Sequence, residues 1–379
     1  MIVFGLLQRL LAIVSIVILG LGIWMIWDWQ DLEAEAAAQG LGDPSNAGLY
    51  WGVAILVFSV LGRFPMLLLL GRNGGRASSR RVEGVEVPGA DGARLRLEQQ
   101  GASEGPILLF THGWGMSSRI WADARAALGD RFGLALWDLP GSGKSGRPPA
   151  GYSLEAFAED LCAVIDVLPP HRPIVLVGHS IGGMTVQTFC ARHPELLNRR
   201  IAGIVLENTT HTNPLKTMIL SKLATGLQPL IELIMKIDTV LSPLIWLLNW
   251  QSYLSGATHL AMRIAGFGDR PTRAQLELAS RLPTKISPAV QARGNLAMFR
   301  WSVTDRLPGI DVPALVFVGG RDIVTKDHAG EFIAGRLPRA ELVRVETAGH
   351  MGPFERPADY DAAIAAFAES VARPLPLAS

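Results

Sequence analysis

Short apolar segments alternate with helix-like segments from Val82 to the C-terminus, and this alternation constrains the fold more than any other feature. Each apolar segment has the length of a strand and ends in glycine or polar residues. The predicted strands are residues 107–111, 134–137, 174–177, 201–206, 314–318 and 342–345. Apolar strands separated by helices are typical of a parallel sheet that is buried on both faces. The sequence therefore predicts an α/β fold, in which functional residues gather at the carboxyl ends of the strands.

A serine follows the strand predicted at residues 174–177, within the G-x-S-x-G segment at residues 178–182. Between an apolar strand and a helix, this pattern predicts a tight, strained turn that lifts the hydroxyl clear of the sheet. A Cβ atom at Gly178 or Gly182 would clash with the strand or helix beside it. The turn also places the hydroxyl near a helix N-terminus, whose dipole favours developing negative charge. Ser180 is therefore the predicted nucleophile.

Two later strand ends carry the partners that such a serine needs. A serine hydroxyl is a weak nucleophile without a base in hydrogen-bond reach, and a histidine base needs a carboxylate on its other nitrogen. We expect His350 to be the base and Asp322 the acid, since both follow predicted strands and the chain order is Ser, Asp, His. Glu207, at another strand end, is the alternative acid, but the glycine turn before Asp322 fits the pattern better.

A second glycine-rich turn, HGWG at residues 112–115, follows the first of these strands. Its glycines, Gly113 among them, allow backbone N–H groups to approach a reacting oxygen. We expect the N–H groups of Trp114 and Ile181 to form an oxyanion hole and the Trp114 side chain to line the pocket. The alternative interpretation is a glycine-rich turn with a tryptophan in the core.

Several other function classes find no support. The formal net charge is +1 and there is no concentrated basic patch, so we expect no nucleic-acid partner. The two cysteines and the other histidines lack metal-ligand spacing, so neither a metal nor a cofactor is expected. Residues 138–145 (DLPGSGKS) resemble a phosphate-binding loop, but Asp138 stands where that loop requires glycine. We interpret this segment as a turn at the edge of the active site.

The first 81 residues predict a membrane hairpin followed by a basic linker. The chain is 49% hydrophobic and 18% charged, which is apolar for a soluble protein. Residues 10–27 carry no charge and are long enough to cross a hydrocarbon core of about 30 Å. Residues 49–70 form a second candidate span, interrupted by Arg63 and Pro65. A helix in the membrane interface, or one packed on the catalytic domain, is the alternative for this second segment.

The distribution of charge predicts an orientation for the hairpin. The segment between the two spans is acidic and contains neither lysine nor arginine, whereas Arg9 precedes the first span and Arg72, Arg76, Arg80 and Arg81 follow the second. Basic residues stay on the cytoplasmic side, so we expect an inner-membrane protein with a cytoplasmic catalytic domain. The alternatives are a signal peptide cleaved near residues 34–38, or a second segment that does not cross, which would put the domain outside.

Taken together, the motifs resemble the α/β-hydrolase superfamily from about Val82 to the C-terminus. They are the HG turn at His112, the D-x-x-G-x-G-x-S turn, the GHSIGG elbow, the GGRD turn, and the GH turn followed by PFERP at residues 353–357. The resemblance implies the family roles for Ser180, Asp322 and His350. Haloalkane dehalogenases and epoxide hydrolases look similar but carry aspartate at the elbow. The N-terminal anchor is similar to that of membrane-bound monoacylglycerol-lipase-like members, although the second span departs from a single-anchor pattern.

This resemblance divides the chain into three parts. They are the membrane hairpin and linker at residues 1–81, an α/β-hydrolase core at residues 82–212 plus 308–379, and a helical cap or lid at residues 213–307. The cap contains very apolar helix-like segments. These could pack on each other over the site, or form an entrance for acyl chains that dips into the bilayer.

The expected function is that of a serine hydrolase that cleaves carboxylic esters of apolar or lipid-like character through an acyl-enzyme. Its partners would be the ester substrate and the membrane bilayer. Two alternatives use the same scaffold. One is C–C bond hydrolysis or cofactor-free peroxidation by the same triad, and the other is a non-catalytic ligand receptor.

Overall fold

An eight-stranded sheet runs through the centre of the protein. The computed structural model describes residues 2–74, 83–149 and 151–372. The strands are β1 (Gly84–Pro88), β2 (Arg94–Gly101), β3 (Ile107–Thr111), β4 (Gly133–Asp138), β5 (Ile174–His179), β6 (Ile201–Glu207), β7 (Ala314–Gly319) and β8 (Ala340–Val345). Their spatial order is β1-β2-β4-β3-β5-β6-β7-β8. β2 pairs antiparallel with β1 and β4, and all other pairs are parallel.

All six predicted strands are present, but the antiparallel pair at the sheet edge was not predicted. In β2, Leu95 and Leu97 are fully buried while Arg94 is exposed and Arg96 is half-buried. This alternation of apolar and polar residues is typical of a strand with one face on the core and one towards solvent. The pattern RLRL was therefore a signal for this strand.

Helices cover the sheet and extend beyond it. The N-terminal helices are α1 (Ile2–Gln39), α2 (Ala47–Leu61) and α3 (Arg63–Leu70). Those of the first half of the core are α4 (Ala122–Leu128), α5 (Leu154–Asp166) and α6 (Ile181–Arg192). Between β6 and β7 lie α7 (Ser221–Gly226), α8 (Gln228–Val240), α9 (Ser242–Leu254), α10 (Ala257–Gly266), α11 (Arg273–Arg281) and α12 (Pro288–Arg300). The C-terminal part adds α13 (Asp327–Arg336), α14 (Gly352–Glu355) and α15 (Pro357–Val371).

The parallel strands divide their side chains between two hydrophobic cores. In β5, Ile174 and Leu176 enter the core beneath α5 and α6, whereas Val175 and Val177 enter the core on the opposite face. All four side chains are fully buried. Successive side chains of a strand point to opposite faces, so an unbroken apolar run is what a sheet covered on both sides requires. The structure confirms the predicted α/β-hydrolase fold with a mostly parallel sheet.

The second apolar N-terminal segment, a candidate span that Arg63 and Pro65 interrupt, is divided into two helices. α2 and α3 meet at Gly62 with a bend of 68°, and α3 packs against α10 and α11 of the cap. Proline near the start of α3 has no N–H to continue the helix, and its ring would clash with the carbonyl of Leu61. Within the described residues, α1 is long and apolar enough to cross a membrane, and the bent pair would be a second span only if it crosses as one. Three of the linker arginines, Arg76, Arg80 and Arg81, lie outside the described residues.

α1 and α2 approach closely through two glycines. A Cβ atom at Gly52 of α2 would lie 2.6 Å from Cγ1 of Ile26 and 2.9 Å from the carbonyl oxygen of Gly22 in α1. Small residues at a helix crossing allow such an approach, and helix pairs in membranes commonly use them. The pair of glycines therefore determines how closely the two helices pack.

We expect Gly52→Leu to separate α1 from α2 and to destabilise the N-terminal helices by about 1–3 kcal/mol, the usual cost of overpacking. Thermal unfolding of the protein in detergent micelles, followed by tryptophan fluorescence, measures this effect. Gly20→Leu is the matched control, because no atom lies within 4 Å of a Cβ at Gly20. Equal melting temperatures for the two variants would contradict the close packing.

Candidate active site

Ser180 occupies a strained turn between β5 and α6. Its backbone has φ 55° and ψ −118°, a conformation that non-glycine residues rarely adopt and that is found at functional sites. The surrounding chain maintains this turn, since the Ser180 N–H donates to the Glu207 carbonyl at 3.0 Å and the Thr209 hydroxyl donates to the Ser180 carbonyl at 2.6 Å. The hydroxyl itself stands at the end of the sheet, as the sequence pattern predicts.

The two flanking glycines are required by close backbone contacts. A Cβ atom at Gly178 would lie 2.5 Å from the carbonyl oxygen of Gly182, within the same turn. A Cβ atom at Gly182 would overlap the carbonyl oxygen of Thr111 in the neighbouring strand β3. The clashes expected from the sequence are therefore with the start of α6 and with β3.

The structure brings Ser180, His350 and Asp322 together from three strand ends. Nε2 of His350 lies 3.0 Å from Oγ of Ser180, and Nδ1 lies 2.9 Å from Oδ2 of Asp322. Ser180 is 8% exposed, while the other two side chains are almost completely buried. A buried carboxylate on Nδ1 holds the imidazole in the tautomer whose Nε2 can accept the serine proton. This is the arrangement expected for a nucleophile, its base and an orienting acid.

The alternative acid, Glu207, lies at the end of β6 and contacts neither nitrogen of His350. Its side chain is fully buried, and neither carboxylate oxygen has a hydrogen-bond partner among the described residues. Burial, reinforced by Asp361, raises the pKa of Glu207 well above its usual value. The carboxylate beside His350 is that of Asp322.

His350 and several hydrogen bonds keep Asp322 ionised although it is fully buried. Oδ1 accepts the backbone N–H groups of Val324 and Thr325 at 2.7 and 2.9 Å, and Oδ2 accepts the Thr325 hydroxyl at 2.7 Å. Burial alone would raise the pKa of Asp322, but His350 and the bonds from Thr325 outweigh it and hold the pKa below the usual value. Asp322 is therefore a carboxylate at neutral pH.

Sequence reasoning missed Asn208, which positions the acid. Its side-chain amide donates to Oδ2 of Asp322 at 3.2 Å and to the carbonyl of Gly349 at 3.1 Å, and its Oδ1 accepts the Tyr360 hydroxyl at 2.7 Å. Asn208 has φ 46°, in the left-handed region that asparagine tolerates better than most residues. An asparagine directly after an apolar strand was the signal available.

His179 supports the base from the other side. Its Nε2 donates to the backbone carbonyl of His350 at 2.8 Å, and the ring is fully buried. Burial and the neighbouring His350 lower the pKa of His179 to about 3. It is therefore a neutral, hydrogen-bonded histidine at physiological pH.

The predicted oxyanion donors flank the serine. Gly113 lies close to the site, since a Cβ there would be 2.7 Å from Nδ1 of His179 and 3.5 Å from Cβ of Ser180. Within the described part of the chain, the N–H groups of Trp114 and Ile181 have no acceptor, so both remain available to a bound oxygen. The Trp114 side chain is buried and lines a small cavity beside the serine hydroxyl, together with Met184, Thr210, Pro214, Met298, Val324 and Thr325.

The turn that resembles a phosphate loop is held by its own aspartate. The Asp138 carboxylate accepts the backbone N–H groups of Ser118 and Lys144 at 2.7 and 2.9 Å. Gly143 has φ 56°, and a Cβ there would overlap that carboxylate. One carboxylate oxygen accepts an N–H of the turn itself and the other accepts the N–H of Ser118 outside it, so the segment is a structural turn near the site.

Glu355 joins the His350 loop to the cap, a role that the sequence did not reveal. Its Oε2 accepts the N–H groups of Gly349 and Gly268 at 2.8 and 3.0 Å, and its Oε1 accepts the N–H of Asp269 at 2.6 Å. Glu355 is only 6% exposed. Three backbone N–H groups from two loops therefore donate to one buried carboxylate. One of them belongs to Gly349, the residue directly before His350.

Comparison with known proteins agrees with this geometry. Residues 108–363 match the profile of the alpha/beta hydrolase family, which is more than half of the chain. A pimeloyl-[acyl-carrier protein] methyl ester esterase from Chromobacterium violaceum is 28% identical over 286 residues, covering 73% of this chain and 100% of the relative. The chain belongs to the alpha/beta hydrolase family and is a hydrolase by family.

Two solved structures share the fold. An esterase from Thermogutta terrifontis has a TM-score of 0.63 and 24% identity, and the match covers 77% of this chain and 100% of that one. A membrane phospholipase A, described as a bacterial virulence factor, has a TM-score of 0.59 and 24% identity over 89% of this chain and 96% of that one. The second match extends over more of the present chain than the family profile does.

We expect Glu355→Leu to destabilise the protein, because it leaves three N–H groups without an acceptor and each buried unsatisfied group costs about 1–3 kcal/mol. Chemical denaturation measures the change in the free energy of unfolding. Glu369→Leu, which removes a largely exposed carboxylate paired with Arg131, should change stability by less than about 1 kcal/mol. A Glu355 variant as stable as this control would show that the three bonds contribute little.

Proposed function

We propose that this protein is a membrane-anchored serine hydrolase that cleaves carboxylic esters. The observation that carries the proposal is the continuous hydrogen-bonded line from Ser180 through His350 to the buried Asp322 carboxylate. The strained turn presents the serine hydroxyl for activation. The two N–H groups beside it have no acceptor and offer a binding place for negative charge.

The chemistry follows from this arrangement. His350 takes the proton of the Ser180 hydroxyl as its oxygen attacks the ester carbonyl, and Asp322 stabilises the imidazolium that forms. The N–H groups of Trp114 and Ile181 would bind the oxyanion of the tetrahedral intermediate. His350 then protonates the leaving alcohol, and water attacks the acyl-enzyme by the same route to release the acid.

The surroundings of the site favour an apolar acyl group. The cavity beside Ser180 is lined mainly by apolar side chains, including Met184, Met298 and Val324. The cap above it leaves many large apolar side chains exposed: Leu220, Leu223, Leu227, Leu230, Leu233, Ile237, Val240, Leu244 and Leu247. Exposed apolar surface of this extent is typical of membrane or ligand contacts. Lipid-like esters are therefore the proposed substrates, and the bilayer is the proposed surface from which they enter.

We expect Ser180→Ala to abolish covalent labelling of the protein by a fluorophosphonate probe, because the probe reacts only with an activated serine. Gel fluorescence after incubation of the detergent-solubilised protein reports the labelling. Ser370→Ala, which changes an exposed serine bonded only to its own helix, should label like the wild type. Labelling that persists in the Ser180 variant would refute the assignment of the nucleophile.

We expect the double substitution Leu244→Glu and Leu247→Glu to lower kcat/KM for long-chain esters by about tenfold or more, while short-chain esters change little. Both side chains are mostly exposed, so the change alters the surface of α9 and not its core. The physical reason is the cost of desolvating carboxylates along an apolar entrance. Hydrolysis of esters of increasing acyl length, from detergent micelles, provides the measurement. An equal loss at every chain length would argue for a purely structural role of these leucines.

The proposed anchor is α1, with both ends of the N-terminal hairpin on the cytoplasmic side. The acidic segment between the apolar regions and the arginines outside them support this orientation. Protease added to spheroplasts should leave the catalytic domain intact, and protease added to inverted membrane vesicles should digest it. Digestion from the periplasmic side would overturn the orientation, and a mature N-terminus near residue 38 would identify a cleaved signal peptide.

A further inference from the structure

A groove of about 360 Å³ lies between the start of α5 and helix α12 of the cap, and we call it the arginine groove. Its walls come from the first residues of α5 with the two residues before them, and from the second half of α12 with the residue after it. None of its lining residues belongs to the cavity beside Ser180. Sites for small molecules commonly measure about 300–1,000 Å³. The groove is therefore large enough to hold a ligand of its own.

Two arginines of α12, Arg293 and Arg300, line the arginine groove. They are seven residues apart, which is close to two helical turns, so they lie on one face of α12 about 10 Å apart along its axis. Both are exposed, and within the described part of the chain neither side chain forms an ion pair or a hydrogen bond. Glu155, the acid among the described lining residues, is also exposed and pairs with neither of them. The groove therefore presents two positive charges without a partner.

The Tyr152 hydroxyl and a third arginine add to this positive surface. The hydroxyl oxygen of Tyr152 is buried and has no hydrogen-bond partner among residues 2–74, 83–149 and 151–372. Burial raises the pKa of Tyr152 to about 12, so the hydroxyl keeps its proton at neutral pH. The charges of Arg147 and Arg293 oppose this rise, so both guanidinium groups lie near enough to act on the hydroxyl. Arg147 is exposed and, like the arginines of α12, has no ion-pair partner among the described residues.

The rest of the lining combines one more donor with apolar side chains. Ser153 is the N-cap of α5, and its hydroxyl oxygen accepts an N–H of the first turn at 3.0 Å, so its O–H remains able to donate. Leu296, Ala297 and Trp301 are the apolar members. The indole N–H of Trp301 already donates to the Thr188 hydroxyl at 2.8 Å. The groove therefore suits a ligand that has acceptor oxygens at one end and an apolar chain at the other.

The charges around the groove favour a dianion over a monoanion. Arg147, Arg293 and Arg300 outnumber the carboxylate of Glu155 by two. A phosphate monoester carries a charge of about −1.5 to −2 at pH 7 and has three acceptor oxygens. Guanidinium groups bind such oxygens through paired hydrogen bonds. A single carboxylate would leave part of this positive charge without a partner, so phosphate fits the groove better.

We propose that the arginine groove is a second binding site, separate from the serine, that takes a phosphate monoester carried on an alkyl chain. The phosphate bonds to Arg293 and Arg300 of α12. The alkyl chain lies against Leu296, Ala297 and Trp301. This inference goes beyond the proposed ester hydrolysis and does not depend on it, because the two cavities are lined by different residues.

The test measures binding of hexyl phosphate to the full-length protein in nonionic detergent micelles by calorimetry. We expect Arg293→Gln and Arg300→Gln each to weaken the affinity by about tenfold, as for the loss of a hydrogen bond to a charged group. Glycerol 1-phosphate, which lacks the alkyl chain, should bind at least about tenfold more weakly than hexyl phosphate, because it leaves the apolar residues uncovered. Equal affinity for the two phosphates would overturn the alkyl part of the proposal.

The matched control is Arg199→Gln, which removes one positive charge from an exposed residue outside the groove. Its affinity for hexyl phosphate should stay within about twofold of the wild type, because salt screens distant exposed charges. Equal weakening in the control and in the Arg293 and Arg300 variants, or no binding to the wild type, would overturn the proposal. Prior reaction of Ser180 with the fluorophosphonate probe should leave the affinity unchanged. Binding lost after that reaction would place the ligand in the serine cavity and overturn the separate site.

Discussion

The strained backbone at Ser180 is the constraint on which the rest of the site depends. A residue at φ 55° persists only where its surroundings over-determine it. Here the surroundings are the end of β5, the start of α6, and hydrogen bonds from Thr209 and to Glu207. The same turn frees the Ile181 N–H and directs the hydroxyl towards His350. The backbone strain, the free N–H of Ile181 and the contact with His350 are therefore consequences of one backbone conformation.

Hydrogen bonds from three directions hold His350 and its loop in place. Asp322 bonds its Nδ1, His179 bonds its backbone carbonyl, and Glu355 bonds the N–H of the preceding Gly349. The last of these contacts also ties the loop to the cap, and the cap in turn packs on α1. Helix α1 and the His350 imidazole thus belong to one connected set of contacts.

Much of this arrangement was visible in the sequence because it depends on local backbone geometry. The glycines around Ser180, the apolar run of β5 and the acidic turn at Asp322 each leave a short pattern that only a few structures accommodate. Asn208 and Glu355 left no such pattern, since their partners lie more than eighty residues away or on another loop. Likewise, Gly62 at the bend lies against Ser255 of the cap, since a Cβ there would be 2.5 Å from the Ser255 carbonyl oxygen.

The sequence by itself determined the six strands from β3 to β8, their order along the chain, and which serine, acid and histidine stand at strand ends. The physical reason is that periodicity and glycine placement act over a few residues. Only the tertiary structure decided that Asp322 and not Glu207 bonds His350, and that the first turns of α1 close a cavity with the cap. Those outcomes depend on contacts between side chains that are far apart in the sequence, and no local sequence pattern predicts such contacts.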